Sequence, residues 1–223
     1  MDHIITFDLL DSHLFLHLIC IRWNKSMYLR SNCSMLNKLK ISLLFLLGCT
    51  SATYLSGAVP NDPLNVNPIE VGSMVPEAEL ITVKGDTVSL SDVIGEGKVI
   101  IIFYRGSWCP YCTKHLAAVG HHEQTILKKD YRIIAISPDL PEGAKKYAGE
   151  TEFNYSIYSD SNLSTTRAFG LAFESYSKWM QKNQTLPVPA VYIIDADGRV
   201  TFRHFNANYR ERLAPEDLLN ALN

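Results

Sequence analysis

The sequence contains few cysteines and little excess charge of either sign. Only two of its five cysteines, Cys109 and Cys112, lie beyond residue 58, so this part of the chain lacks paired cysteines in distant loops. The net charge of −2 excludes the strongly basic character that is typical of nucleic-acid binding. Apolar residues make up 47% of the 223 positions, which is enough for one sizeable core.

The N-terminal region predicts export. From Met35 a short basic region precedes the apolar run 41–47, which is too short to span a bilayer and is followed by small residues. We interpret residues 35–58 as a signal peptide and residues 1–34 as a non-native upstream extension. Cleavage after Ala58 would release an exported periplasmic or cell-envelope protein. Alternatively, Leu-Leu-Gly-Cys resembles a lipoprotein box, and a lipidated Cys49 would tether the chain to the membrane.

The rest of the chain predicts one α/β domain. Residues 59–68 are rich in Pro and Asn and indicate a linker, so the domain is expected to occupy 69–223. Buried strands alternate with helices, which favours a mixed sheet covered on both faces. The predicted strands are 78–83, 87–90, 98–104, 131–137, 155–158, 190–194 and 200–204, and the predicted helices are 91–94, 110–128, 141–149, 163–169 and 215–222.

The segment Trp108-Cys109-Pro110-Tyr111-Cys112 carries the chemistry. It follows the apolar strand 98–104, and a helix can begin at Pro110 because proline is tolerated in a first turn. Cys109 would then lie at the positive end of the helix dipole, which stabilises a thiolate, the nucleophilic form of cysteine. Cys112 lies one turn further on and can close a disulfide with Cys109. The spacing predicts thiol redox chemistry, with two structural cysteines as the alternative.

These residues resemble a known family. The strand, Trp-Cys-Pro-Tyr-Cys and helix resemble the thioredoxin superfamily, and Cys-Pro-Tyr-Cys is typical of glutaredoxins. The wider context is more similar to the alkyl hydroperoxide reductase/thiol-specific antioxidant, or peroxiredoxin-like, branch; it includes 71–76, 103–106, 187–195 and 197–200. The resemblance covers roughly residues 69–222. It implies a thioredoxin-like fold with a mixed central sheet, helices on both faces and an N-terminal hairpin.

Two positions depart from that branch. Cys112 corresponds to its peroxide-reactive cysteine, whereas Cys109 stands where it has Thr or Ser and Arg105 where it has Pro. In thioredoxin-like enzymes the first cysteine attacks instead, so the two alignments assign opposite roles to the pair. We predict Cys109 as the nucleophile, because it precedes the helix with its sulfur free to meet a substrate.

Five further residues are predicted to bind substrate or shape access to it. Trp108 would form an apolar wall beside the nucleophile, and Tyr111 would be exposed at the helix start. Arg105 would lower the pKa of the cysteine or hold a substrate. The resemblance implies a cis Pro189 that, with Val188, keeps backbone groups free for an extended substrate.

The prediction is an exported thiol–disulfide oxidoreductase with an antioxidant or protein-thiol maintenance role. Its partners would be a disulfide-containing protein and a thiol reductant, without a cofactor, a metal or nucleic acid. The first alternative is a thiol peroxidase that reduces hydrogen peroxide or alkyl hydroperoxides. The second is a copper or zinc carrier that adds His115 to the two cysteines, since this histidine lies one turn beyond Cys112.

Overall fold

Nine strands and six α-helices alternate through the part of the chain that the structure describes. The structure is a computed structural model, and it describes residues 58–177 and 181–222. The strands are β1 Glu79–Ile81, β2 Thr87–Ser89, β3 Lys98–Phe103, β4 Tyr131–Ser137, β5 Ser156–Ser159, β6 Ala172–Ser177, β7 Lys182–Pro187, β8 Ala190–Ile194 and β9 Val200–Phe205. The helices are α1 Leu90–Ile94, α2 Pro110–Gly120, α3 Glu123–Lys128, α4 Pro141–Glu150, α5 Ser164–Ala168 and α6 Pro215–Ala221.

Seven strands form one mixed sheet in the order β2-β1-β5-β4-β3-β8-β9. The central strand β3 pairs in parallel with β4 and antiparallel with β8, and β4 pairs in parallel with β5. β1 and β2 form the predicted N-terminal hairpin. The mixed sheet agrees with the predicted fold class.

Alternate residues of β3 enter two separate cores, because successive strand residues point to opposite faces. Val99, Ile101 and Phe103 lie in the first core. Ile100 and Ile102 lie in the second core, which also contains both Cys109 and Cys112. The run of buried apolar residues in β3 is what a strand covered on both faces requires.

The structure differs from the sequence prediction in three places. The predicted helix 110–128 is two helices in the structure, since the first ends at Gly120 and the second begins at Glu123. The ring of Phe153 packs against Gly120 at the position that a Cβ atom would occupy. The hairpin of β6 and β7 was not predicted. The expected linker 59–68 is docked on the domain: Glu174 N–H donates to the Pro60 carbonyl at 2.8 Å, and Arg203 donates to the Pro68 carbonyl at 2.9 Å.

The predictions for the N-terminus concern residues that lie almost wholly outside the described part. These are the upstream extension 1–34, the signal peptide 35–58 apart from Ala58, and the lipidation of Cys49. No helix within residues 58–177 and 181–222 has the length and apolar character needed to cross a membrane.

Candidate active site

The two cysteines lie where β3 turns into α2. We call residues 104–109 the redox turn. Cys109 is the N-cap of α2, and Pro110 is its first residue, as the sequence predicts. The Cys109 N–H donates to the Gly106 carbonyl at 3.1 Å, and the Cys109 carbonyl accepts the N–H of Cys112 at 2.9 Å. The helix start therefore fixes both cysteines on one turn.

Asp139 anchors the redox turn to the ends of two neighbouring strands. Its Oδ2 accepts the Ser107 N–H at 2.7 Å and the Ser137 hydroxyl at 3.0 Å, and its carbonyl accepts the Ser159 hydroxyl at 2.6 Å. Ser137 and Ser159 are the last residues of β4 and β5. Because parallel strands end at the same edge of a sheet, this edge is where ligand sites of such folds form.

Both thiols are buried and unpaired. Cys109 and Cys112 are each 1% exposed and form no disulfide in the structure. The expectation that the Cys109 sulfur is free to meet a substrate is therefore wrong for this arrangement, because Cys109 packs in the second core. The disulfide between the two stays a prediction.

The two thiols differ in acidity. The pKa of Cys109 falls to about 6, chiefly because the Cys112 side chain hydrogen-bonds to its sulfur. The Cys112 N–H and the Arg105 charge also lower this pKa, whereas burial raises it. The pKa of Cys112 is raised by that same hydrogen bond and by burial. The hydrogen bond between the side chains thus favours the thiolate on Cys109 and the proton on Cys112, as the choice of Cys109 for the nucleophile requires.

Aromatic rings and Arg105 surround the redox turn. The guanidinium carbon of Arg105 lies 5.2 Å from the centroid of the Trp108 ring, on which it stacks. Trp108 is 55% exposed and Tyr111 is 41% exposed, so the predicted exposure of Tyr111 is confirmed. Tyr111 also packs edge-on against Tyr209, with 5.8 Å between ring centroids.

Arg212 belongs to the site although it was not predicted. Its Nη2 lies 3.5 Å from Cys112 Sγ and donates to the sulfur. Arg212 lies in the segment 206–214 between β9 and α6, which we call the 206–214 loop. No local pattern in the sequence points to a contact between residues 100 positions apart. Asp139 was missed as well, but its place directly after a buried strand is a signal that could have found it.

The roles expected for Val188 and Pro189 do not agree with the structure. No peptide bond among residues 58–177 and 181–222 is cis, so the bond between Val188 and Pro189 is trans. Val188 is fully buried, and its N–H donates to the Leu171 carbonyl at 2.8 Å. The cause is the hairpin of β6 and β7, which brings the chain before β6 alongside Val188. These backbone groups are not free for an extended substrate.

The histidines near the site form no metal-binding cluster with the cysteines. Within the described ranges, no group of three or more His, Cys, Asp or Glu side chains is arranged to hold a metal ion. His115 is buried, and burial, with the nearby Arg212 charge, lowers its pKa to about 4. Its Nε2 and that of His204 have no hydrogen-bond partner, and both residues line a cavity of about 10 Å³.

A mixed sheet, a cysteine at a helix start and a second cysteine one turn later define a thiol oxidoreductase of thioredoxin-like fold. The chain belongs to the AhpC/TSA family, which matches residues 71–203. It is thus an enzyme of the oxidoreductase class, a thiol–disulfide oxidoreductase or a thiol peroxidase, and the predicted fold and family are confirmed.

Three similar proteins illustrate the relationship. Peroxiredoxin Bcp of Escherichia coli (strain K12) is 27% identical over 135 residues, which cover 60% of this chain and 85% of that protein. Reduced Prx3 of Vibrio vulnificus, solved with hydrogen peroxide, has a TM-score of 0.62 at 21% identity and covers 70% of this chain and 99% of its own. The bacterioferritin comigratory protein of Xanthomonas campestris, solved in work on its alkyl peroxide reduction, has a TM-score of 0.56 at 17% identity and covers 70% and 97%.

Proposed function

We propose that this protein is a thiol peroxidase that reduces hydrogen peroxide or alkyl hydroperoxides with Cys109 and Cys112. One observation carries the proposal: the acidic thiol of Cys109 is only 1% exposed. A small peroxide can reach a buried thiolate through slight movements of the surrounding residues. A disulfide within another folded protein cannot, because the rest of that protein is too large to enter. Membership of the AhpC/TSA family and similarity to a peroxiredoxin support the same reaction.

The reaction begins with the Cys109 thiolate. Its sulfur attacks one oxygen of the peroxide, the O–O bond breaks, and the other oxygen leaves as alkoxide or hydroxide and takes a proton from solvent. Cys109 is oxidised to sulfenic acid, and the peroxide is reduced to an alcohol or water.

Cys112 then resolves the sulfenic acid. Its sulfur attacks the Cys109 sulfur, a disulfide forms, and hydroxide leaves and is protonated to water. An external thiol reduces the disulfide through a mixed disulfide, so that two reductant thiols become one disulfide. Because the two cysteines lie within one helical turn, the closing step needs only a small rearrangement.

Disulfide exchange, which the sequence alone favours, is the second candidate. The specific observation behind it is the exposed rim at the redox turn, where Trp108 and Tyr111 present apolar surface to solvent. Arg105 and Cys109 also stand where the peroxiredoxin-like branch has Pro and Thr or Ser. In this reaction the Cys109 thiolate attacks a substrate disulfide and Cys112 releases the product.

Stopped-flow oxidation of the reduced full-length protein separates the two reactions. Trp108 adjoins Cys109 and supplies a fluorescence signal. We expect hydrogen peroxide to oxidise the pair faster by orders of magnitude than a small disulfide such as oxidised glutathione at equal concentration. Faster reaction with the disulfide would overturn the peroxidase assignment in favour of exchange.

Two matched serine variants assign the roles of the cysteines. In Cys112→Ser, hydrogen peroxide should leave a sulfenic acid on Cys109, detected by mass spectrometry as one added oxygen atom or as an adduct with a 1,3-diketone. In Cys109→Ser, rapid peroxide reduction should be lost. Rapid sulfenic acid formation on Cys112 in that variant would reverse the two roles.

A further inference from the structure

The 206–214 loop brings a cation to the sulfur of Cys112. Arg212 Nη2 donates to Cys112 Sγ at 3.5 Å, and the Arg212 side chain is partly buried. Among the described residues, this guanidinium is the one side-chain cation that the structure shows in hydrogen-bond contact with the sulfur. The contact joins two residues that lie 100 positions apart in the sequence.

The residues on either side of Arg212 are held in place. Both oxygens of the Glu211 carboxylate accept side-chain amide hydrogen bonds at 2.7 Å, one from Asn206 and one from Asn208. Leu213 is buried, and its backbone is hydrogen-bonded to the His115 side chain on α2. Arg212 Nη1 donates to the Glu211 carbonyl at 2.8 Å, so the guanidinium is also oriented by its own backbone.

Cys112 faces a chemical difficulty in the second step of the proposed reaction. In the resting pair the Cys112 thiol donates a hydrogen bond to the Cys109 thiolate, which raises the pKa of Cys112. Burial of Cys112 raises this pKa as well. Once Cys109 has become a neutral sulfenic acid, Cys112 must lose its proton to attack. The backbone N–H of Arg105 also hydrogen-bonds to the Cys112 sulfur and lowers its pKa, but this group carries no charge. The titratable groups His115, Tyr104 and Tyr147 supply no positive charge near neutral pH, because His115 is neutral and the two tyrosines carry phenol groups.

We propose that Arg212 is a catalytic residue of the resolving step, in which its guanidinium holds Cys112 as a thiolate. This proposal rests on the proposed function. The Cys112 thiol releases its proton, the thiolate stabilised by Arg212 attacks Cys109, the S–S bond forms, and the hydroxide that leaves Cys109 combines with a proton to give water. In the reduction of the disulfide, the same contact stabilises Cys112 as the departing thiolate.

The first experiment measures the acidity of Cys112 without any peroxide. In the Cys109→Ser background, the alkylation rate of Cys112 by iodoacetamide is followed against pH, with the peptide resolved by mass spectrometry. We expect Arg212→Gln to move the midpoint upward and to slow alkylation about tenfold at a fixed pH below it, because an opposite charge in contact typically shifts a pKa by one unit or more. Arg210→Gln is the matched control, since Arg210 lies on the same loop, is exposed and stacks on Tyr209 instead.

The second experiment separates the two steps in protein with both cysteines. Arg212→Gln should leave the rate of the first reaction with hydrogen peroxide nearly unchanged and should slow disulfide closure about tenfold, so that Cys109 sulfenic acid accumulates. Arg212→Lys retains the charge and should restore closure in part. Because it also retains a long side chain, it keeps the test valid if the glutamine variant does not fold.

The outcomes distinguish this proposal from the proposed function. An unchanged pH profile for Cys112 in Arg212→Gln would overturn the role of Arg212, whatever the activity toward peroxide. A shifted pH profile in a protein that does not react with peroxide would support the effect of Arg212 on Cys112 and would overturn the proposed peroxidase function. A glutamine variant that slows the first step as much as the second would also contradict a role confined to resolution.

Discussion

The guanidinium carbon of Arg105 lies 4.3 Å from the centroid of the Tyr209 ring, and this contact joins the redox turn to the 206–214 loop. Arg105 stacks on Trp108 at the same time, so one cation lies against two rings. Cation–π contacts contribute about 0.5–2 kcal/mol each, depending on their exposure. The loop is therefore held to the turn by a contact that a single substitution can remove.

Removing the Tyr209 ring should open access to the thiols. We expect Tyr209→Ala to increase the reaction rate of reduced protein with a bulky aromatic disulfide reagent, because the loop loses its contacts with Arg105 and Tyr111. The rate with hydrogen peroxide should change much less, since a small oxidant needs little opening. Tyr209→Phe keeps the ring and is the control. Equal rates for the bulky reagent in all three proteins would show that Tyr209 does not restrict access.

The reaction with peroxide should follow the ionisation of Cys109. Its pKa is lowered to about 6, so the rate constant should rise with pH, reach half of its maximum at about pH 6 and level off at higher pH. Arg105→Gln should move this midpoint upward, because the charge of Arg105 stabilises the thiolate. Lys114→Gln removes an exposed cation on α2 and should leave the midpoint in place. A midpoint near the ordinary value of a free thiol in the unaltered protein would contradict the prediction.

His115 should make the domain less stable in weak acid. Its pKa is lowered to about 4 in the folded protein, from an ordinary value near 6.5, so the unfolded chain takes up a proton first as the pH falls. This contribution to stability is complete above about pH 6.5, declines as the pH falls toward about 4, and then stays constant. It amounts to about 2 kcal/mol between pH 7 and pH 5.

Denaturant unfolding at two pH values tests this contribution. The loss of free energy of unfolding from about pH 7 to about pH 5 should be smaller by about 2 kcal/mol in His115→Gln than in the unaltered protein. The absolute stability of the variant does not matter, because only the difference between the two pH values is compared. Equal losses in both proteins would exclude His115 as the source.

Gly106 should not tolerate a side chain. Its φ is +141°, and a Cβ there would lie 2.3 Å from Trp108 Nε1 and 2.8 Å from Asp139 Oδ1. We expect Gly106→Ala to displace Trp108, change its fluorescence and lower the free energy of unfolding by about 1–3 kcal/mol. Gly85→Ala is a matched control, because Gly85 also has a positive φ, +94°, but a Cβ there would meet nothing within 4 Å. Equal destabilisation in both variants would mean that backbone strain, not the clash, accounts for the loss.

The N-terminal prediction can be tested on protein recovered from the cell envelope of its native host. Mass spectrometry should find a mature chain that begins after Ala58 or at a lipidated Cys49. In the second case Cys49→Ser should release the protein from the membrane fraction, whereas in the first it should change nothing. Peptides from residues 1–26 in the exported protein would contradict the interpretation of 1–34 as a non-native extension.

The sequence predicts the framework around the cysteines well, because strong local signals coincide there. The apolar run of β3 indicates a buried strand, and Pro110 sets the start of α2 in both prediction and structure. The hairpin of β6 and β7 escapes prediction because its second strand begins with Lys182-Asn183-Gln184-Thr185, a polar stretch without apolar alternation. Its pairing partner is supplied by the fold and not by its own composition.

The contacts of the candidate site are harder to predict than its elements. Cys109 and Cys112 stand out by their spacing alone, whereas Arg212 and Tyr209 lie in a polar loop that has no distinguishing pattern. Burial of Cys109 was likewise not predictable, because it results from packing against residues distant in sequence. Local patterns give the identity of the redox pair, and tertiary contacts decide its access and acidity.

The hydrogen bonds beside Pro189 bear on what the protein can recognise. The Val188 N–H pairs with Leu171, and the Pro189 carbonyl accepts the Asn206 N–H at 3.4 Å. A polypeptide therefore finds no open strand edge at this position to which it could add itself. The size and reactivity of the oxidant would then determine which substrates react, rather than an amino-acid sequence in the substrate. Under the proposed function the protein removes small diffusing oxidants and does not exchange disulfides with other proteins as they fold.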